Sequence, residues 1–250
     1  MEKITSVKNP LIASLRALKG AKARRETGLF LVEGETMLKE ALASGLAPRT
    51  LLTEEETPLA ARFPEARLVT RGVLEAVCDT KTPQGMCAAF VLPATAGLEN
   101  APDILVALDG VQDPGNVGTI WRTADAAGFG GLLLGAGCAD PYSPKVQRAA
   151  MGSGFRLPAI AAEPLAESLQ TLRERGWKVF ASALDGADFY ARPEAGERFI
   201  LVIGSEAHGI SESVRAQADA LVKLPMRGRA ESLNAAVAAG IIMYELMRVK

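Results

Sequence analysis

Apolar residues in the N-terminal segment recur at intervals of three to four positions, at Leu11, Leu15 and Leu18. This spacing places them on one face of an α-helix. Asn9 and Pro10 come directly before the pattern, and these residue types are favoured at the N-cap and at the first helical position. The pattern therefore predicts an amphipathic helix that runs through the N-terminal segment.

The rest of the first half alternates between predicted strands and helices. Runs of apolar residues predict strands at LFLVEG, RTLLT, RLVT and GMCAAFVLP. A helix is predicted from Thr36 to Ser44, where Gly45 ends it, and a helical stretch is predicted between RTLLT and RLVT. The tract PATAGLENAP that follows has no periodicity, so we place a domain boundary there, between residues 1–97 and 98–250.

The second half contains continuous apolar runs, which suit strands that are covered on both faces, as in a parallel sheet. These predicted strands are DILVALD, GGLLLG, KVFASAL, RFILVIG and ALVKLP. Helical stretches such as Pro164 to Arg175 separate them, which favours an α/β domain with crossover helices. Ligands of such sheets usually bind at the carboxyl ends of the strands, where three loops of this chain carry polar residues.

The overall charge gives no general argument for an anionic partner, because the 250 residues have a formal net charge of −1. The first 25 residues differ from this average, since they hold seven basic side chains against Glu2 alone. The basic residues are Lys3, Lys8, Arg16, Lys19, Lys22, Arg24 and Arg25. This basic arm either neutralises the phosphates of a nucleic acid or forms an ordinary solvated helix face.

Cysteine usage and hydropathy set the expected compartment. Cys78, Cys87 and Cys138 are scattered and lack C-x-x-C spacing, so the sequence indicates neither a disulfide framework nor a zinc site. No apolar run reaches the roughly 18 residues of a membrane span, and the N-terminus lacks the apolar core of a secretory signal. We therefore expect a cytoplasmic protein without a membrane partner or a bound metal.

The first polar loop, in DGVQDPGNVGTIWRTADAAGF, fits neither of the two common glycine-rich ligand motifs. A P-loop needs G-x-x-x-x-G-K-[ST] and a dinucleotide turn needs G-x-G-x-x-G, and the glycine spacing here matches neither. Asn116 is predicted to cap a helix that runs to Ala127 and ends at Gly128. Arg122 either returns its long side chain toward Asn116 or forms a surface ion pair.

The second loop, VIGSEAHGI, places Glu206 just beyond Gly204, a residue type that lets a ligand approach the backbone closely. His208 is the only histidine, and it is either a general base or a simple loop residue. In the third loop, in VKLPMRGRAESLNAAVAAGIIMYELM, Pro225 ends a strand and Ser232 is predicted to cap a long final helix. The small residues of that helix permit close approach by another helix.

Together and in this order, the three loops resemble the three motifs of the SPOUT superfamily of methyltransferases, specifically the SpoU or TrmH-type RNA ribose 2′-O-methyltransferases. The matching segments are GNVGTIWRTADAAGF, VIGSEAHGI and KLPMRGRAESLNAAVAAGI, and the resemblance covers roughly residues 103–250. SEAHG departs from many relatives, which have Gly in place of Ala207. The first hundred residues resemble the small, ribosomal-protein-like α/β substrate-binding domain that precedes the catalytic domain in one branch of the family.

The resemblance implies a parallel sheet whose C-terminal segment forms a deep trefoil knot, and a homodimer that binds S-adenosylmethionine in the knot without a metal. It places the adenosine against the backbone around Gly204, Leu224 and Leu233. The residues that it assigns to the reaction are Asn116, Arg122, Glu206, Ser232 and Asn234.

The implied reaction methylates a ribose 2′-hydroxyl, in ribosomal RNA of the 23S type. The family's proposed base corresponds to Arg122, although a guanidinium normally stays protonated. Two roles are therefore open: Arg122 loses a proton to the substrate phosphate, or it stays charged and holds phosphate and alkoxide as a fork-shaped donor. An RNA substrate favours phosphate binding by the basic arm. The predicted RNA contacts are Lys19, Lys22, Arg24, Arg25 and Arg148.

Three other functions are weighed against this one. A transfer RNA ribose methyltransferase would use the same motifs. A noncatalytic RNA-binding assembly factor is disfavoured by the joint presence of Asn116, Arg122, Ser232 and Asn234. A nucleotide-dependent oxidoreductase is disfavoured because the chain lacks the G-x-G-x-x-G turn at the first loop.

Overall fold

The computed structural model describes residues 3–94 and 96–248 of the chain. By its contacts the chain divides into two compact α/β units. The first unit contains residues 3–94 together with 142–155, and the second contains residues 96–141 and 156–248. A segment from the middle of the sequence thus belongs to the unit that the N-terminal residues form.

The first unit is built on a five-stranded mixed sheet. Its elements within residues 3–94 are β1 (Lys3–Ile4), α1 (Pro10–Ala17), α2 (Ala21–Thr27), β2 (Leu29–Glu33), α3 (Glu35–Ala43), β3 (Pro48–Thr53), β4 (Ala66–Val69), α4 (Arg71–Val77) and β5 (Met86–Val91). The strand order is β1-β4-β3-β5-β2. Strands β1, β4 and β3 are parallel, whereas β5 is antiparallel to both of its neighbours.

The N-terminal segment contains two helices where the apolar spacing predicts one. Asn9 caps α1 as predicted, because its side-chain oxygen accepts a hydrogen bond from the Leu11 amide at 2.9 Å, and Pro10 begins the helix. Helix α1 ends at Ala17, and α2 starts after Gly20. The break contains Lys19 and leaves Arg16 in α1, while Lys22, Arg24 and Arg25 lie in α2.

The second half of the chain forms a six-stranded sheet. Its elements are β6 (Ile104–Asp109), α5 (Pro114–Ala127), β7 (Gly131–Leu134), α6 (Pro144–Ala150), β8 (Ala159–Ala161), α7 (Leu165–Glu174), β9 (Lys178–Asp188), β10 (Phe199–Gly204), α8 (Glu212–Arg215), β11 (Ala220–Lys223) and α9 (Ala235–Met247). The strand order is β11-β9-β10-β6-β7-β8, and every neighbouring pair is parallel. The predicted parallel sheet is therefore confirmed.

Both faces of this sheet are buried, which explains the continuous apolar runs. Residues Leu105 and Ile200 belong to a core cluster with α7 and α8. Their neighbours Val106 and Leu201, which point to the other face because side chains alternate along a strand, are also fully buried. None of the helices in residues 3–94 and 96–248 is long and apolar enough to cross a membrane.

Residues 142–155, which include α6, are held in the first unit by apolar and charged contacts. The rings of Tyr142 and Phe155 lie 5.2 and 6.3 Å from the ring of Phe30. Arg148 on α6 donates to Asp79 at 2.7 Å and lies 3.8 Å from the buried carboxylate of Glu33. No sequence motif marks this segment as part of the first unit.

Candidate active site

Three loops at the carboxyl ends of β6, β10 and β11 bring together polar residues that are far apart in the sequence. The Asn234 side-chain amide donates to the Asn116 side-chain oxygen at 3.0 Å. The Asn116 amide in turn makes a short hydrogen bond to a carboxylate oxygen of Glu206. One residue from each predicted motif therefore contributes to a single hydrogen-bonded chain.

The start of α9 sets the direction of these hydrogen bonds. Asn234 is the N-cap of α9, and its side-chain oxygen accepts from the amides of Ala236 and Val237 at 3.0 and 3.2 Å. Because its oxygen is occupied in this way, its NH₂ group donates to Asn116, and the Asn116 NH₂ group is left to donate to Glu206. The predicted cap at Ser232 is wrong: α9 begins three residues later, and Ser232 is exposed.

Helix α5 is capped by Asp113, and not by Asn116 as the sequence predicts. The Asp113 side chain accepts from the Asn116 backbone amide at 2.8 Å, and Pro114 occupies the first turn. Asn116 therefore lies inside the first turn, where its side chain is free to reach the other two loops. The predicted end at Gly128 is confirmed, with a left-handed φ of 84°.

The second loop is a tight turn that presents its tip to solvent. Ser205 and Gly209 pair through two backbone hydrogen bonds of 3.0 and 2.8 Å. A Cβ at Gly204 would lie 2.2 Å from the carbonyl carbon of Gly209, so only glycine fits at this position. Glu206 and His208 lie on the exposed tip, and the His208 amide donates to the Ser205 hydroxyl at 3.2 Å.

The second and third loops border a cleft of about 670 Å³ within the second unit, and Asn116 of the first loop is hydrogen-bonded to two residues of its lining, Glu206 and Asn234. Six predicted site residues line it, namely Gly204, Glu206, Leu224, Ser232, Leu233 and Asn234. Residues 182–185, within β9, also line it, and they lie outside the three predicted motifs. The predicted strand KVFASAL ends in this segment. The end of a predicted parallel strand was the only sequence feature that could have indicated these residues as part of a ligand site.

The lining of the cleft is rich in acidic groups. Arg215 donates to both carboxylate oxygens of Asp185, at 2.5 and 3.1 Å, and this hydrogen bonding lowers the pKa of Asp185. Glu206, Glu212 and Glu231 also face the cleft. Such a lining suits a ligand that carries positive charge. Among residues 3–94 and 96–248, no group of three or more His, Cys, Asp or Glu side chains is arranged to hold a metal ion.

Arg122 lies on the exposed side of α5 and is absent from the cleft lining. Helices α5 and α9 run side by side in the same direction, because Asn116 meets Asn234 at their starts and Thr123 meets Gly240 further along. The close approach that the small residues of α9 permit is therefore made to α5. In the described part of the chain, the Arg122 side chain makes neither the surface ion pair nor the contact with Asn116 that the sequence offers.

The residues predicted to contact RNA occupy unlike environments. Arg24 is only 3% exposed and donates to the carbonyls of Leu18 and Lys19 at 2.7 and 2.8 Å. It therefore lacks the exposed guanidinium that a phosphate contact on a helix face requires. The ammonium group of Lys19 donates to the Ala76 carbonyl at 3.0 Å.

The other three predicted RNA contacts are more accessible. Lys22 and Arg25 are exposed on α2, and Lys22 lies 3.8 Å from Glu26. Arg148 is engaged by Asp79 and Glu33, with about a third of its side chain exposed. Of the predicted set, only Lys22 and Arg25 have the exposed, weakly held charge that a phosphate contact needs.

Two family models match separate parts of the chain. The model of the SpoU rRNA Methylase family matches residues 103–244, and that of the MRM3-like substrate binding domain matches residues 9–88. The chain is 36% identical over 250 residues to the 23S rRNA (guanosine(2553)-2′-O)-methyltransferase RlmP of Bacillus subtilis (strain 168), covering 98% of this chain and 99% of the relative.

Solved structures show the same similarity along the whole chain. The AdoMet-bound rRNA methyltransferase from Sinorhizobium meliloti has a TM-score of 0.89 and 34% identity, with 99% of this chain and 98% of that chain covered. The SpoU methyltransferase AviRb from Streptomyces viridochromogenes, in complex with the cofactor AdoMet, has a TM-score of 0.86 and 30% identity, with coverage of 97% and 98%. The chain therefore belongs to the SpoU rRNA methylase family.

Proposed function

We propose that the protein transfers a methyl group from S-adenosylmethionine to a ribose 2′-hydroxyl of ribosomal RNA of the 23S type. The observation that carries this proposal is the hydrogen-bonded chain of Asn234, Asn116 and Glu206 beside a cleft at the carboxyl edge of a parallel sheet. The relative from Bacillus subtilis is named as a 23S rRNA 2′-O-methyltransferase, and the solved relative from Sinorhizobium meliloti is AdoMet-bound.

The cleft fits the methyl donor in size and chemistry. Its volume of about 670 Å³ lies within the range of roughly 300–1,000 Å³ that is typical of small-molecule sites. We assign the adenosine to the backbone around Gly204, Leu224 and Leu233. The acidic lining suits the positive sulfonium group. The bound cofactor supplies an activated methyl group, and it needs no metal for this.

The side chains of the protein then have separate tasks in the reaction. Asn116 and Asn234 position Glu206. Asn234 caps α9 and donates to Asn116, and Asn116 donates to the Glu206 carboxylate. Ser232, exposed at the cleft, binds a substrate phosphate. Arg122 supplies the fork-shaped cation that stabilises the negative charge developing on the 2′-oxygen as the hydroxyl passes its proton to the substrate phosphate.

A homodimer would complete this site. Four apolar side chains lie along one exposed face at the start and along the length of α9, with 38–55% of each accessible to solvent: Leu233, Val237, Ile241 and Tyr244. Their spacing of four, four and three residues forms a continuous helical stripe. Exposed apolar stripes of this kind mark interaction sites, and a second copy of the chain is the partner we assign to it.

Arg122 belongs to the same exposed surface. The exposed residues of α5 follow one stripe, Gly115, Thr119, Arg122 and Ala126, on the side of the helix that faces away from its buried residues. Since α5 packs along α9, a copy that covers the apolar stripe brings its own cleft near Arg122. Val237→Glu with Ile241→Glu should give a monomer in light scattering, whereas Val91→Glu, at a similarly exposed apolar residue of the first unit, should leave the dimer intact.

The two parts of the chain that the family models match divide the work in this proposal. Residues 1–97, where the MRM3-like substrate binding domain matches, capture RNA, and residues 98–250 carry out the chemistry. The knotted C-terminal segment stays part of the proposal, because the residues that would form it supply the loops of the cleft. The cytoplasm is the proposed compartment, since it holds ribosomal RNA and suits the three unpaired cysteines.

Calorimetry with S-adenosylmethionine and S-adenosylhomocysteine in EDTA tests the cofactor assignment. Binding of both ligands without metal is expected. Undetectable binding at millimolar concentration, with a folded protein, would exclude the methyltransferase function.

Mapping of 2′-O-methyl groups on RNA from cells with and without the gene tests the substrate. Loss of a methyl group from large-subunit ribosomal RNA is expected. Loss from a transfer RNA would instead assign the second substrate class, and binding of cofactor and RNA without any methyl transfer would assign a noncatalytic assembly factor.

A further inference from the structure

The arginines of the second unit fall into two groups. Seven of them donate to, or pair with, an acidic side chain or a backbone carbonyl: Arg156, Arg173, Arg175, Arg192, Arg198, Arg215 and Arg248. The other three, Arg122, Arg227 and Arg229, make no hydrogen bond or ion pair with any residue in 3–94 or 96–248. Most guanidinium groups of this unit already have a bonded partner, so these three are the ones available to bind a ligand.

Arg227 and Arg229 lie together on the loop 224–234, which joins β11 to α9 and supplies much of the cleft lining. Met226 on one side and Glu231 on the other both line the cleft. Consecutive Cα atoms are about 3.8 Å apart, so each arginine begins within about 8 Å of a residue that faces the cleft. Both arginines are exposed, and neither is part of the cleft lining itself.

The loop is also free of internal hydrogen bonds. No backbone group of residues 225–233 is bonded to another backbone or side-chain group in the described parts of the chain. Backbone polar groups need partners, and on an exposed loop beside a cleft these are water or a ligand. The charge of the segment favours an anion, because Lys223, Arg227 and Arg229 face only one acidic residue, Glu231.

We propose that Arg227 and Arg229 hold backbone phosphates of the RNA beside the cleft, and that they position the strand whose ribose is methylated. This inference rests on the proposed function and adds a phosphate contact within the catalytic unit to the one proposed for α2. Guanidinium groups bind phosphates through two parallel hydrogen bonds, and each contact releases counterions from the RNA. Unpaired arginines lose no existing ion pair when they bind.

The test is the double variant Arg227→Gln with Arg229→Gln. Its affinity for a fluorescent single-stranded RNA of mixed sequence is measured against salt concentration, and its methyl transfer is measured on an unmethylated 23S rRNA transcript. The log–log salt slope should fall by about 1.4, because each phosphate that a cation neutralises on a single strand accounts for about 0.7. The KM for the transcript should rise about tenfold, with kcat changed less than threefold and affinity for S-adenosylmethionine unchanged.

Two further variants sharpen the result. Arg227→Lys with Arg229→Lys should restore most of the salt slope, because the charges return. Arg198→Gln removes one positive charge from the same unit, but Arg198 is already paired with Asp103 at 2.9 Å, so the RNA salt slope should stay at the wild-type value.

The outcomes separate this inference from the proposed function. An unchanged salt slope and KM in the double glutamine variant, with wild-type protein that methylates the transcript, would overturn the phosphate contact alone. A loss of S-adenosylmethionine affinity with an unchanged salt slope would also overturn it and assign the arginines to the cofactor. Wild-type protein that neither binds S-adenosylmethionine nor methylates RNA would defeat the proposed function itself.

Discussion

Basic side chains serve opposite purposes in two regions of the molecule. In the first unit, Lys19 after α1 and Arg24 in α2 are bound to backbone carbonyls and stabilise the fold. In the loop 224–234 of the second unit, Arg227 and Arg229 have no partner among the described residues. Both regions are equally conspicuous as basic clusters.

This difference shows that a basic residue in the sequence is not necessarily available to a ligand. Its availability depends on whether its side chain already bonds to another group of the protein. A guanidinium that satisfies helix-terminal carbonyls contributes to folding, and its removal leaves those carbonyls unpaired. A guanidinium without a partner contributes little to folding and is ready to bind an anion. Substitutions in the two groups should therefore separate stability from activity.

The largest expected effect is on catalysis, in the group without partners. Arg122→Lys keeps the positive charge but loses the fork, so turnover should fall at least about a hundredfold, as when one preorganised donor to the transition state is removed. Melting temperature and S-adenosylmethionine affinity should change little. Single-turnover methyl transfer at saturating RNA measures the effect, and a fall below tenfold would show that charge alone suffices at this position.

The next largest effect is on stability, in the group with partners. Arg24→Ala should lower the free energy of unfolding by about 3 kcal/mol, because a buried carbonyl of Leu18 and a part-buried carbonyl of Lys19 lose a charged donor. Arg25→Ala, at the adjacent exposed position, should change it by less than about 0.5 kcal/mol. Urea denaturation measures both variants. Equal effects of the two substitutions would contradict the distinction between the two kinds of cation.

An intermediate effect is expected at Arg148, which the sequence assigns to RNA and the structure pairs with Asp79 and Glu33. Arg148→Ala should lower the free energy of unfolding by about 1–2 kcal/mol, since Glu33 keeps hydrogen bonds from Asp79 and Thr80. The RNA salt slope should remain that of the wild type. A normal stability with a reduced salt slope would return Arg148 to the RNA surface.

A smaller effect is expected at the two exposed cations of α2. Lys22→Ala with Arg25→Ala should weaken RNA binding and reduce its salt slope, by up to about 0.7 for each of the two cations. Stability and cofactor affinity should be unaffected, because within residues 3–94 and 96–248 the Lys22 ammonium pairs with Glu26 alone, at 3.8 Å and with both side chains exposed. An unchanged slope would assign these residues to an ordinary solvated helix face.

The smallest effect is expected at His208, on the exposed tip of the second loop. Its backbone amide contributes to the turn, and this bond survives a side-chain change. His208→Ala should therefore retain at least about half of the wild-type turnover. Loss of turnover in this variant, combined with tolerance of Arg122→Lys, would assign the role of general base to His208.

Much of the fold follows from local patterns in the sequence. The continuous apolar runs predicted β6, β7, β10 and β11 and their parallel arrangement, because strands covered on both faces cannot alternate with polar residues. Asn9 and Gly128 were predicted as helix ends from residue preferences alone. Short elements such as β8 and α4 were missed, because a few residues carry too little periodicity.

Choices between nearby residues of one loop were not determined locally. The sequence offers several capping residues in each motif, and it favoured Asn116 and Ser232 where the structure uses Asp113 and Asn234. These choices matter, because they decide which side-chain amides can bond across the site. Asp113 caps α5, and the Asn116 side chain therefore joins the hydrogen-bonded chain with Asn234 and Glu206.

By itself, the sequence determined the α/β class, the parallel sheet and the three loops at its carboxyl edge, since each depends on short-range spacing. Only the tertiary structure decided which polar groups meet and which cations are already satisfied. It joined Asn116, Glu206 and Asn234, placed residues 142–155 in the first unit, and buried Arg24 while leaving Arg227 unpaired. These outcomes depend on contacts between residues far apart in the chain, and local residue preferences carry no information about them.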